Sequence, residues 1–389
     1  MRIGLNAVDF FPGEMGGIET YFRDLLHHLQ RVDHRNEYTV LCVEPRSKEF
    51  PLSRSSFRVR EYGFARRSPA WLVRAALRGA LGMDPLGPMI GRLPLDVIHH
   101  PFSVARPRVR GIPSVVTFWD MQHEFYPEFF SRKEVERRGR VYRSSAEEAT
   151  RIIVAAQFTR RCLTERYGID ENKIDLVPVG CGPAFRVLEE SAEVEAIREK
   201  YGLGKPFLFY PAATWPHKNH RNLLAALGIL VARNRFDGEL VLTGIEKEGY
   251  SSLLGESIRA NLSGIVRVLG YVPFADLPGL YNLARLLVFP SLFEGFGIPV
   301  LEAMACGCPV VCSDATSLPE ILGNAGMTFD PESPEDIARK ILSAWEDGEQ
   351  RGRMRAAGLM RAKRYSWEEA AKRTVESYGK AYGEGAPPG

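Results

Sequence analysis

Residues Phe289 to Asp314 read FPSLFEGFGIPVLEAMACGCPVVCSD, and this stretch decides the fold. The apolar run that leads into it, Leu286 to Phe289 (LLVF), has the character of a fully buried parallel strand. Gly295 and Gly297 flank Phe296, so the chain can turn sharply there and bring its backbone close to a ligand. Pro299 stands at a helix start, where its fixed φ fits and its missing N–H is no loss. The helix is expected to end near Gly307, before a second apolar strand at Pro309 to Cys312. Strand, tight turn, helix and strand follow one another, and the unsatisfied N–H groups of the helix start make an anion site. Glu294 lies in the loop, and Glu302, eight positions on, is placed in the first helical turn.

Two carboxylates beside an anion site would repel a phosphate unless each accepts hydrogen bonds from neutral hydroxyls. A nucleotide sugar meets that condition, with sugar hydroxyls at one end, a ribose at the other and a diphosphate between. The alternative leaves Glu294 as a solvated loop charge and Glu302 as a carboxylate complementing the helix dipole.

Glu294, seven residues and Glu302, with GFG after the first Glu and EAMACGCPVV around the second, resemble the motif of the retaining GT-B glycosyltransferases of family 4, also called group 1. The similarity runs over most of the chain and is strongest from Gly270 to Gly326. It implies an α/β fold of two Rossmann-like domains facing each other across a cleft, with a last helix crossing back onto the first domain. By resemblance Glu294 contacts the transferred sugar and Glu302 the ribose. The backbone around Gly295, Phe296, Gly297, Ile298, Pro299 and Val300 holds the diphosphate, and the nucleobase lies against Tyr271 and Val272.

The chain has 389 residues, 45% hydrophobic and 25% charged, which is ordinary globular composition and enough for two domains. No apolar stretch approaches the ~18 residues of a membrane span. The start, MRIGLNAVDFF, enters a strand directly and lacks the pattern of a signal peptide, so a cytoplasmic setting is the default expectation. The six cysteines form no CxxC pair, which suggests neither a disulfide framework nor a zinc site. Net charge is only +3 but uneven, with 28 Lys/Arg against 22 Asp/Glu in residues 1–183.

Upstream, Arg2 to Val8 reads as a strand, FPGEMGG as a loop, and Ile18 to Leu29 as a helix with apolar residues at helical period. Gly16 and Gly17 open that helix; the alternative to the family's donor-phosphate loop is a plain tight turn. Residues 44 to 95 are least readable. Within them Arg58 to Arg78 mixes six arginines with Tyr62, Phe64 and Trp71, and Ala70 to Leu81 could form an amphipathic helix. A second basic run, RKEVERRGRVYR, spans 132 to 143. Each is either a solvated helix face or a surface for anionic lipid or a lipid-diphosphate acceptor, so peripheral membrane contact through the basic first domain is one expectation. Nucleic acid is not expected, because neither run belongs to a reading module.

Asp96 to His100 and Pro113 to Phe118 read as further strands, and the loop WDMQHEFYPEFFS follows the second, where open α/β sheets bind ligands. The family commonly carries a sugar-contacting His followed by Asp at this point. This chain has Trp119 in place of the His and keeps Asp120. His123 could reach the cleft instead, or be a structural histidine, and Trp119 could stack on a sugar face. PVGCGP at 178 to 183 reads as a hinge, with a first domain at 1–183, a second at 184–365 beginning its first helix near Ser191, and a last helix with a frayed GEGAPPG tail at 366–389.

In the second half, Lys218 follows the strand Phe207 to Tyr210 and opens a helix at 219–232, well placed to neutralise a diphosphate, unless it is a solvated loop lysine. Relatives pair this Lys with an Arg a few residues earlier, where Ala213 and Thr214 stand here. WPHKNH is similar to bacterial polysaccharide and O-antigen mannosyltransferases. The expected function is therefore transfer of a hexose, GDP-mannose favoured, to a hydroxyl of a glycan or lipid-linked acceptor, with retention. No cofactor is expected, since the nucleotide sugar is a substrate, and with no DxD motif no divalent metal is expected. A sugar-nucleotide epimerase or phosphorylase on the same scaffold, or a silent nucleotide-sugar-binding module, are the alternatives.

Overall fold

The computed structural model describes residues 1–13, 15–81, 83–189, 192–245, 255 and 262–385. Ser191 and the tail at 386–389 lie outside them. The chain divides into two compact units, Met1–Gly180 with Ser366–Gly389, and Cys181–Tyr365.

The first unit holds a seven-stranded sheet of β1 (Arg2–Asn6), β2 (Glu37–Val43), β3 (Phe57–Tyr62), β4 (Val97–His100), β5 (Ser114–Phe118), β6 (Arg151–Val154) and β7 (Ile174–Leu176). Every pairing is parallel and the spatial order is β3-β2-β1-β4-β5-β6-β7. The second unit holds β8 (Phe207–Pro211), β9 (Glu239–Thr243), β10 (Val266–Gly270), β11 (Leu286–Phe289), β12 (Val310–Ser313) and β13 (Met327–Phe329). These are also all parallel, in the order β10-β9-β8-β11-β12-β13. Strands β4, β6, β11 and β12 are buried along their whole length, as strands covered by helices on both faces must be. Both orders are doubly wound, so each unit is Rossmann-like.

Two strands were hidden from a reading of the sequence. At β3 the residues FRVREY bury Phe57 and Tyr62 while Arg58 and Arg60 face water, because β3 is an edge strand; its arginines had merged into the basic run. At β13 only three residues pair.

The last helix, Trp367–Gly385, belongs to the first unit. Tyr378 Oη lies 2.8 Å from His99 Nδ1, His99 Nε2 lies 2.8 Å from Thr117 Oγ1, and Tyr21 Oη lies 3.0 Å from the same hydroxyl. All four side chains are buried, and this chain of partners fastens the helix to β4, β5 and the helix Gly17–Val32. Lys380 and Arg151 add ion pairs to Asp175 and Glu384. No helix among the described residues is long and apolar enough to cross a membrane.

Candidate functional site

In the second unit the strand order reverses between β8 and β11. Loops leaving the carboxyl ends of two such strands diverge to opposite faces and leave a crevice between them. Here those loops are 212–219 and 290–297, and each carries one charged residue singled out in the sequence. Lys218 Nζ and Glu294 Oε1 meet at 2.5 Å, with side-chain exposures of 18% and 14%. The ion pair leaves the charge between the two loops nearly balanced.

The two loops are stitched together around this pair. Asn219 adopts a left-handed conformation (φ 58°), which Asn tolerates better than most residues, and its buried Nδ2 donates to Pro290 O at 3.0 Å and Pro331 O at 2.7 Å. Leu292 N donates to His217 O at 2.8 Å, and Tyr210 Oη donates to Lys218 O at 2.5 Å. Burial, and then the Lys218 charge, hold His217 down to about 4, so it is neutral at pH 7. Beyond Glu294, its N–H donates to Thr316 Oγ1 at 3.1 Å, and Ser317 Oγ donates to the carbonyls of Glu294 and Phe296, each at 2.9 Å. Asn219, Thr316 and Ser317 were missed in the sequence, where an isolated Asn or a Thr-Ser pair carries no signal of what it will hold.

The turn itself requires glycine at Gly297. Its φ is 110°, and a Cβ there would sit 2.7 Å from Leu318 Cδ2. From it runs the helix Ile298–Ala305, with Pro299 in its first turn and the buried Phe296 ring edge-on to Tyr365 at 5.8 Å. Val300 N–H and Leu301 N–H return to Gly297 O. Glu302 is corrected from the first helical turn to the second. Glu302 is 7% exposed, and its carboxylate accepts from the fully buried Tyr281 Oη at 2.8 Å.

Along the same carboxyl edge, Gly244 N donates to Gly270 O at 2.8 Å and Thr214 N to Ile245 O at 3.2 Å. This brings the ends of β8, β9 and β10 side by side. Tyr271 is 73% exposed and Val272 is buried, while Trp215, 46% exposed on the Lys218 loop, is an aromatic that the sequence reading did not single out.

In the first unit, Gly16 (φ 57°) caps the helix Gly17–Val32, and both glycines are exposed at the carboxyl end of β1. Nothing lies within 4 Å of a Cβ built on Gly16. Asp120, half-buried after β5, accepts from Gln122 N–H at 3.2 Å. Two expectations for this loop are corrected. His123 is 1% exposed, packed edge-on to Tyr142 at 5.1 Å with Nε2 3.3 Å from Tyr167 Oη, and burial lowers its pKa, so it is a neutral core histidine rather than a ligand contact. Trp119 is equally unavailable for stacking on a sugar: it is 7% exposed, edge-on to Tyr21 at 4.4 Å, with Nε1 donating to Pro101 O at 2.8 Å. Apolar packing won both residues, because the aromatic pocket around them lies directly behind the loop. Among the described residues no group of three or more His, Cys, Asp or Glu is placed to hold a metal ion.

The family profile described as Glycosyl transferases group 1 matches residues 193–360, and that of Glycosyltransferase Family 4 matches residues 15–184. O-antigen chain mannosyltransferase B of Escherichia coli is 35% identical over 284 residues, covering 73% of this chain and 74% of that protein. The serotype-specific mannosyltransferase WbdA of Escherichia coli is 32% identical over 236 residues, 60% of this chain but only 29% of the longer WbdA. In fold, sucrose-phosphate synthase of Thermosynechococcus elongatus superposes with a TM-score of 0.77 at 18% identity, over 98% of this chain and 99% of that one.

Proposed function

The chain belongs to the group 1, family 4 glycosyltransferases, and from that premise we propose that it transfers mannose from GDP-mannose to a hydroxyl of a glycan or lipid-linked acceptor, with retention and without a metal ion. The observation that carries this reading is the Lys218–Glu294 pair across the strand-order reversal, beside the Gly295–Gly297 turn. A diphosphate entering the crevice draws the Lys218 ammonium onto its oxygens. The Glu294 carboxylate is thereby released to accept hydrogen bonds from the sugar hydroxyls. As the bond from sugar to diphosphate breaks, negative charge grows on the diphosphate. Lys218 and the backbone N–H groups at the turn meet it, donors already fixed by the stitched loops.

No side chain is assigned as nucleophile. The acceptor hydroxyl attacks on the face that the diphosphate leaves, and a diphosphate oxygen takes its proton, so positioning does most of the work. Glu302, turned toward Tyr281, is assigned to the ribose hydroxyls, and Tyr271 and Val272 to the base. Gly16, Gly17 and Asp120 keep, as part of this proposal, the roles that the family resemblance gives them. Preference for mannose follows the two mannosyltransferase relatives, and a cytoplasmic setting belongs to the same proposal.

The test is a nucleotide-release assay with GDP-mannose, UDP-glucose and UDP-GlcNAc, run with and without EDTA, followed by NMR of the product anomer. Release from GDP-mannose alone, unchanged by EDTA and giving the α-anomer, is the expected result. Release from no donor would reduce the chain to a binding module, and loss of turnover with EDTA would overturn the metal-free route.

A further inference from the structure

The loops 212–219 and 290–297 bring several polar side chains to the crevice, and most of them are already committed. Lys218 is paired with Glu294, and Asn219 donates to Pro290 O and Pro331 O. Ser291 Oγ and His220 Nδ1 have no hydrogen-bond partner, but both atoms are fully buried, out of reach of a ligand. His217 differs from all of these. It is half-buried, and among the described residues no hydrogen bond uses either nitrogen of its ring.

The backbone under this ring is fixed from both sides. Pro216–Lys218 forms one tight helical turn, in which Lys218 N–H donates to Trp215 O at 2.9 Å and Asn219 N–H to Pro216 O at 3.0 Å. From the facing loop, Leu292 N–H reaches His217 O at 2.8 Å. The main chain is thus held while the hydrogen-bonding capacity of the ring is unspent, which is the condition of a donor fixed before its ligand arrives. The ring lies within the field of both Lys218 and Glu294, and the lysine charge bears on it more strongly. A neutral imidazole offers one N–H donor and adds no charge to the balanced Lys218–Glu294 pair.

We propose that His217 is a further catalytic residue of the transfer: its ring N–H donates to an oxygen of the donor's diphosphate, beside Lys218, and this bond strengthens as negative charge grows there. The proposal rests on the transferase reading, to which it adds a residue. Lys218 has to leave Glu294 before it can reach a diphosphate, whereas the ring of His217 has no bond to give up. A hydrogen bond to a growing anion is worth more in the transition state than in the bound donor, so its loss falls on kcat more than on KM.

The experiment is nucleotide release by the full chain over a range of GDP-mannose concentrations, for the wild type, His217→Ala, His217→Gln and His217→Asn, with urea unfolding of each. His217→Ala is expected to lower kcat by about 10–100-fold and to change the donor KM by less than about threefold. His217→Gln or His217→Asn, each of which keeps a neutral N–H donor, should recover most of that loss at the same unfolding midpoint as His217→Ala. Turnover of His217→Ala within about threefold of the wild type overturns the proposal. A loss that enters through KM alone also overturns it, as does one that neither amide variant relieves. If the wild type releases nucleotide from no donor, the transferase reading fails by itself, and calorimetry with GDP decides His217. Affinity lowered in His217→Ala and recovered in an amide variant would keep it as a diphosphate contact, and equal affinity in all four proteins would remove it.

Discussion

Lys218 and Glu294 neutralise each other at 2.5 Å, so removing either exposes the charge of the other and the two substitutions separate by function. Lys218→Ala removes a fixed cation from the growing diphosphate charge, and kcat is expected to fall by about 10²–10³-fold. Glu294→Ala should abolish transfer while GDP binding by calorimetry survives; undiminished turnover would take Glu294 out of the site. Glu302 is different, because its carboxylate leans on Tyr281, which is fully buried. Glu302→Ala is expected to weaken GDP binding, and Tyr281→Phe should cost about 1.5–3 kcal/mol in urea unfolding, the worth of a hydrogen bond to a charged acceptor. Spacing and the glycines around the first singled out the two glutamates in the sequence. Their pairing was not legible there, since Lys218 lies 76 positions from Glu294 and Tyr281 lies 21 from Glu302.

Two elements depend on a single backbone or side-chain commitment. The turn into the helix Ile298–Ala305 holds Gly297 at φ 110° against Leu318, so Gly297→Ala should cost about 1–3 kcal/mol and displace the loop that carries Glu294. A Gly297→Ala protein with wild-type turnover and unfolding midpoint would show that the turn relaxes. The helix Pro69–Leu81 depends on Arg74, and Asp84→Ala leaves a buried guanidinium without its partner, a loss of about 3–5 kcal/mol in the unfolding of the first unit. Hydrophobic periodicity located this helix but could not say which face is inward. Period alone places apolar residues toward the core, whereas Arg74, held by Asp84, faces inward and Leu72 and Val73 face outward.

At the scale of the molecule, burial holds histidines neutral in both units: His99 at about 3 and His100 at about 4 in the first, His217 and His220 at about 4 in the second. An unfolded chain protonates histidine below about 6.5, so unfolding takes up protons between pH 6.5 and 4 and stability falls as pH falls through that window. Each such histidine contributes a slope of about 1.4 kcal/mol per pH unit. In the second unit the two together set a steep acid edge, which the raised pKa of Asp314 partly offsets. In the first unit burial lowers His28 and His123 as well, so four histidines contribute to its acid edge, which Asp24, pushed up to about 6 by burial, partly offsets. Urea midpoints at pH 7 and pH 5 check this, with His220→Gln expected to remove about half of the slope of the second unit; an unchanged midpoint between the two pH values would sink it. From the chain alone came most of the strand and helix order, though not β3 or β13, the glycine turn at Gly295–Gly297 and the two-domain α/β class, because apolar period and Gly/Pro placement act within a few residues of themselves. Packing alone decided that Lys218 closes on Glu294, that Trp119 and His123 turn inward, and that the helix Pro69–Leu81 shows Leu72 and Val73 to the outside. Each of those outcomes depends on partners that meet only once the sheets have formed.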